Sequence, residues 1–271
     1  MSALTTVFKK GITSSQLKNF AIIFMAIDHI AYVVVYYLYY IPALQAHNAG
    51  EPIPATALAL LNLYYIMRYI GRIAFPLFCF MIVQGFIYTR SRKKYLMRLV
   101  IFAFISEIPF NLANLGTPFY PEYQNVFFTL SLGLLCIMIL DHLINHFSLH
   151  ERKNMIALIV ICAAVIAGFS LAGYFIHSDY DWSGVLTIVI LYLLSSKPVI
   201  GMAIACTVLT LSTLSAGIFE IFCFASIFFV ALYNGEKGHS RLGKYFFYAF
   251  YPAHLLILWA ILEIILRFYG Y

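Results

Sequence analysis

Apolar positions fall in long, nearly unbroken runs, without the alternating or three-to-four-residue spacing of half-buried elements in a soluble fold. A membrane-spanning helix needs about 20 mostly apolar residues. Nine stretches approach that length: residues 19–40, 69–89, 97–115, 125–145, 154–175, 183–196, 198–215, 218–233 and 245–268. The pattern predicts an all-α, polytopic transmembrane helix bundle of about nine spans, within a range of eight to ten, forming a single integral membrane domain over residues 1–271. The sixth run is short and Lys197-Pro198 turns the chain sharply before the seventh, so that pair also reads as a bent or re-entrant hairpin.

Composition supports this reading, because 63% hydrophobic and 10% charged residues leave too little polar surface for a soluble domain. The surplus apolar area must face lipid. Cys79, Cys136, Cys162, Cys206 and Cys223 all lie in apolar stretches without C-x-x-C spacing and read as packing residues. No tandem repeat or low-complexity segment interrupts the runs.

Charge changes the picture by giving the spans a direction. Lys9, Lys10 and Lys18 precede the first span; Arg90, Arg92, Lys93, Lys94 and Arg98 follow the second. Arg152 and Lys153 follow the fourth, Lys197 the sixth, and Lys237, Arg241 and Lys244 the eighth. Alternate loops therefore hold 14 of the 17 Lys and Arg residues, and the positive-inside rule makes that side cytoplasmic, together with the N-terminus. The opposite loops, 48–54, 116–124 and 177–181, have no Lys or Arg. The expected location is the cell (inner, cytoplasmic) membrane, multi-pass. The formal charge of +6 is thus an orientation signal toward membrane lipid, and nucleic acid is not an expected partner. The first run is longer than the apolar core of a signal peptide and carries Asp28-His29, so it reads as a retained span.

Several groups inside these spans need a reason, since an Asp, Arg or Lys at the centre of a spanning helix costs about 2.5–3.5 kcal/mol. His29 is 11 residues beyond Lys18, or roughly 16 Å along a helix, near the bilayer midplane with Asp28 beside it. Arg72 in the second span, Glu107 and Asn111 in the third and His254 in the ninth lie at similar depth. Their convergence would form one polar cavity. The plainer alternative is an ion pair of Arg72 with Glu107 or Asp28 that only fixes helix packing, with His254 bonded to a carbonyl. Neighbours on a helix point about 100 degrees apart, so any acid that contacts His29 must be supplied by folding.

His142, His146 and His150 recur at i, i+4 and i+8 near a helix end. That spacing can bind zinc, but histidines also suit the negative end of the helix dipole, and no metal is expected. Glu220 and Glu263 read as interfacial, and the tyrosines at 36, 37, 39, 40, 64 and 65 as an aromatic belt. No G-x-S-x-G elbow, phosphate-binding glycine loop or H-E-x-x-H is present.

The runs Leu17-Lys18 through Met25-Ala-Ile-Asp28-His29, Gly71-Arg72-Ile-Ala-Phe-Pro76-Leu-Phe, Ser106-Glu-Ile-Pro-Phe-Asn-Leu112, Asn125-Val-Phe-Phe-Thr-Leu130 and Tyr251-Pro-Ala-His254-Leu-Leu follow one another in order. In these the chain resembles TraX family proteins, conjugation-associated membrane proteins that acetylate the N-terminus of F-type pilin, and through them the wider acyltransferase-3 group. That group carries a basic residue 11 positions before a histidine in its first span; Lys18 and His29 match, with Lys where Arg is usual. Lys supplies a point charge in place of a bidentate fork.

The resemblance implies an acyl-CoA-dependent acyltransferase, with acetyl-CoA as donor. Lys18 and Arg98 would meet its phosphates, and His29 would act at the thioester as general base or through an acyl-histidine. Asp28 or Glu107 would orient the imidazole, and Arg72 or Asn111 would stabilise the oxyanion. The acceptor would be a pilin-like peptide, a glycan or a lipid. A proton-coupled secondary transporter would use similar groups, although no internal repeat supports it, and a non-catalytic membrane assembly protein would use them only for packing.

Overall fold

The computed structural model describes residues 11–146, 152–214, 218–239, 243 and 245–270. Among these residues the fold is helical, without β-strands. Its elements are α1 (Ser14–Ile30), a π-helical turn (Ala31–Val35), α2 (Tyr36–Ala49), α3 (Ala55–Gly71), α4 (Ala74–Tyr88), α5 (Arg92–Leu115), α6 (Val126–His146) and α7 (Arg152–Phe175). There follow α8 (Asp181–Leu193), α9 (Pro198–Ser212), a 3₁₀ segment (Ile218–Ala225), α10 (Ser226–Ala231) and α11 (Phe246–Phe268). The protein is a polytopic helical bundle.

Among the described residues, six continuous helical runs are long and apolar enough to cross a membrane: Ser14–Ala49, Ala55–Tyr88, Arg92–Leu115, Val126–His146, Asn154–Phe175 and Phe246–Phe268. The remaining apolar segments, Asp181–Leu193, Pro198–Ser212 and Phe219–Ala231, are helical but shorter.

The first two runs are longer than the sequence expectation. The first run begins at Ser14, ahead of residue 19, because Thr13 and Gln16 form a reciprocal capping box. It continues to Ala49, and its 36 residues extend roughly 54 Å, beyond a hydrocarbon core of about 30 Å. The second run begins at Ala55 rather than 69. Its Ala, Leu and Met residues are strong helix formers, although Asn62 and the tyrosines dilute the apolar signal. It is interrupted only at Arg72-Ile73.

Helix α4 lies at the centre, with Ala74, Phe75, Pro76, Leu77, Cys79, Phe80, Met81, Ile82, Val83 and Phe86 all buried. A helix apolar all round belongs inside a bundle, and α1, α6, α8 and α9 pack around it. Helix α11 lies along α5 and also reaches α1, which brings the two distant polar helices together. Helix α7 is peripheral: only 6% of its most apolar window is buried, and Ile156, Ile159, Val160 and Leu171 are exposed in positions suited to lipid.

Backbone contacts at the two ends agree with the charge map. Ile12 N–H donates to Leu232 O at 2.7 Å, Asn234 N–H to Ile12 O at 3.0 Å and Ser15 N–H to Lys237 O at 3.0 Å, which joins two segments assigned to the basic side. At the other end, Gln124 N–H donates to His177 O at 3.0 Å and Asp179 N–H to Gln124 O at 2.9 Å, which joins two loops free of Lys and Arg.

Candidate active site

Asp28 and His29 occupy the last turn of α1, immediately before the π-helical turn at Ala31–Val35. Such turns insert a residue into the helical register and often accompany functional sites. Beyond this point the two neighbours diverge, as their angular separation on the helix requires.

His29 turns toward α11. Its Nδ1 lies 2.9 Å from Nε2 of His254, and His254 Nδ1 lies 2.8 Å from the Phe250 carbonyl oxygen. A carbonyl only accepts, so His254 carries its proton on Nδ1 and, when neutral, accepts at Nε2. The His29 proton then sits on Nδ1. His29 Nε2 consequently holds a lone pair with no hydrogen-bond partner among the described residues. The expected carbonyl bond of His254 is present, and His254 also takes the orienting position that the sequence reading gave to an acid. The Phe250 ring stacks on His254 at 4.9 Å, and Tyr251 meets His29 edge-on at 5.9 Å.

Asp28 turns toward α3. Arg68 donates to its Oδ2 at 2.6 Å, while Arg72 Nη2 donates to Oδ1 and Oδ2 at 2.8 and 2.7 Å. Arg72 Nη1 also reaches Glu220 Oε2 at 3.3 Å. Glu220 is 3% exposed, so it is an internal counter-ion and not the interfacial residue expected. Two carboxylates and two guanidiniums thus neutralise one another, as buried charges require. Gly71 allows the close approach: a Cβ there would collide with the Asp28 carboxyl group.

Glu107 pairs with neither arginine. It accepts from the Asn125 backbone N–H at 3.1 Å and from the Asn125 side-chain amide. Asn125 also donates to Ala103 O at 2.8 Å and accepts from Phe127 N–H at 3.0 Å, capping the start of α6. Asn111 is buried nearby in sequence, and its Oδ1 has no partner among the described residues.

Lys18 and Arg98 share a cavity of about 820 Å³ with Lys237 and His239. Phe247 lies beneath the Lys18 ammonium at 5.5 Å, and Tyr95 faces the Arg98 guanidinium at 5.8 Å, contacts that supplement the charges. Its apolar floor includes Met25, Val126, Phe127 and Tyr251. Lys18, Met25 and His29 fall on one face of α1, separated by seven and 11 residues from Lys18. His29 does not itself line the cavity; Tyr251, which does, meets the His29 ring edge-on.

Of the histidines at a possible metal spacing, His146 Nδ1 engages the His142 carbonyl at 2.9 Å, and His150 lies outside the described residues.

A family model described as TraX protein matches residues 13–262, nearly the whole chain. The chain belongs to the TraX family. A relative of this TraX chain is the Probable fimbrial assembly protein FimC, serogroup H1, of Dichelobacter nodosus. The two are 29% identical over 211 residues, covering 72% of this chain and 82% of the relative. No solved structure matches the chain.

Sequence reasoning did not assign roles to Arg68, Glu220, Asn125 or Tyr251. Glu220 carried a readable signal, since it lies in the apolar run Ile218-Phe219-Glu220-Ile221-Phe222. Asn125 and Tyr251 lay within motifs but offered no unusual spacing of their own.

Proposed function

We propose that this protein is a membrane-embedded acetyltransferase that takes acetyl-CoA from the cytoplasmic side of the cell (inner) membrane and transfers the acetyl group to an amine or hydroxyl acceptor. The observation that carries this reading is the cavity lined by Lys18, Arg98 and Lys237, whose lining residue Tyr251 touches both His29 and His254. Its volume of about 820 Å³ lies in the range of pockets that enclose small ligands and cofactors. Lys18, Lys237 and Arg98 supply positive charge for the donor's phosphates, and the apolar depth suits its acyl-bearing arm.

The histidine pair supplies the chemistry. His254 fixes His29 in the Nδ1–H tautomer, leaving Nε2 to take a proton from the acceptor as the new bond forms. Such positioned base catalysis contributes roughly 10²–10⁴ in rate. The Asp28–Arg68–Arg72–Glu220 group lies on the other side of α1, where it sets local charge and holds the helix. Family membership favours an acceptor at the N-terminus of a pilin-like peptide, as does the fimbrial assembly name of the relative. A glycan or lipid hydroxyl would be acetylated by the same steps.

The decisive experiment measures binding and turnover of radiolabelled acetyl-CoA by the full chain in nanodiscs. Saturable binding weakened by Lys18→Ala, with turnover lost in folded His29→Ala, is the expected result. A folded protein that neither binds nor consumes acetyl-CoA would overturn the reading and direct attention to transport and assembly assays.

A further inference from the structure

The proposed transfer develops negative charge on the thioester carbonyl oxygen, and a donor must meet it. Arg72 is committed to Asp28 and Glu220. The cavity floor instead presents Tyr251, which is 3% exposed and borders both the cavity and the His29 ring.

The phenol is held from two directions. Phe127 packs edge-on against its ring at 5.2 Å, and His254 does so at 5.7 Å. Among the described residues no group forms a hydrogen bond with the Tyr251 hydroxyl, and Val126, Phe127 and Tyr251 all border the cavity.

We propose that Tyr251 is a catalytic residue whose O–H donates to the thioester carbonyl oxygen of the bound acyl donor. The proposal rests on the acetyltransferase reading of the same site. As the acceptor's nucleophilic atom attacks the carbonyl carbon, its proton passes to His29 Nε2 and the carbonyl electrons move onto oxygen. Tyr251 stabilises that oxyanion by a hydrogen bond without surrendering its proton. Re-forming the carbonyl breaks the C–S bond, and the departing thiolate takes the proton from His29. The acetylated acceptor and free thiol are the products.

The test uses the full chain in nanodiscs with acetyl-CoA and an amine acceptor peptide. Tyr251→Phe keeps the ring and removes the donor; kcat should fall by roughly 10²–10³ while acetyl-CoA affinity stays within about threefold of wild type. If Tyr251→Phe does not fold, trifluorotyrosine at this position provides the second measurement. Its O–H ionises at lower pH, so turnover should fail on the alkaline side earlier than in wild type, with donor binding retained. A kcat within about threefold of wild type in Tyr251→Phe, a loss explained by weaker acetyl-CoA binding, or an unshifted alkaline limb in the fluorinated protein would each overturn the assignment. Any of these in a wild type that turns over acetyl-CoA leaves the enzyme reading intact, whereas an inactive, non-binding wild type removes both.

Discussion

His254 Nε2 lies 2.9 Å from His29 Nδ1, although the two residues are 225 positions apart in the chain. This contact connects the first and last membrane helices and sets the imidazole tautomer through the Phe250 carbonyl. His29 is thereby both oriented and left with an unprotonated ring nitrogen. If His254 acts only through His29, removing it should reduce catalysis without removing the base.

Accordingly, His254→Ala should lower kcat by about 10- to 100-fold with donor affinity preserved, whereas His29→Ala should remove turnover. The double variant should be no slower than His29→Ala alone, because residues acting as one unit are non-additive. Additive losses in steady-state kinetics would indicate independent roles.

The mouth of the cavity should discriminate charge from shape. Lys18→Ala should weaken acetyl-CoA binding about 10-fold, Lys18→Arg should retain it, and added salt should narrow the gap between them. Dephospho-CoA thioesters, with less negative charge, should be less sensitive to the same substitution. Equilibrium binding across ionic strength checks all three expectations.

The ion-pair group should govern stability more than turnover. Asp28→Asn leaves two guanidiniums without their shared carboxylate and should destabilise the protein by about 3–5 kcal/mol. Arg68→Gln should cost less, since Arg72 still pairs with Asp28. Gly71→Ala should also lower the thermal midpoint, because the new methyl group would occupy the space of the Asp28 carboxyl. Thermal unfolding in detergent at fixed protein and lipid concentration orders the three variants.

The loop between α7 and α8 should respond to pH. Burial raises the Asp179 carboxyl above its ordinary range, opposed by the Tyr123 hydroxyl and by Arg72 and Arg68. A raised folded pKa means that stability is complete below the unfolded carboxylate value of about 3.9 and declines as pH rises through the folded one. Hydrogen exchange of residues 176–181 should therefore quicken across that interval, and Asp179→Asn should flatten the dependence. An equal response in the variant would assign the effect to another group.

The sequence alone determined the membrane-spanning character, because the free energy of placing long apolar runs in lipid depends on local composition. It also placed Lys18 and His29 on one face of α1, since helical periodicity is a local property. The alternation of basic loops gave the two sides that the Ile12–Leu232 and Gln124–His177 backbone contacts join.

Tertiary structure alone decided the partners. A buried charge or imidazole must find a counterpart, but its identity depends on which helices pack side by side. Asp28 could have faced His29 and instead faces Arg68 and Arg72; Glu107 could have met Arg72 and instead meets Asn125. The packing of α11 against α1 and α5 supplied His254 to His29 and Tyr251 to the cavity floor. No spacing within a single helix encodes those contacts, because each is made across helices far apart in the chain.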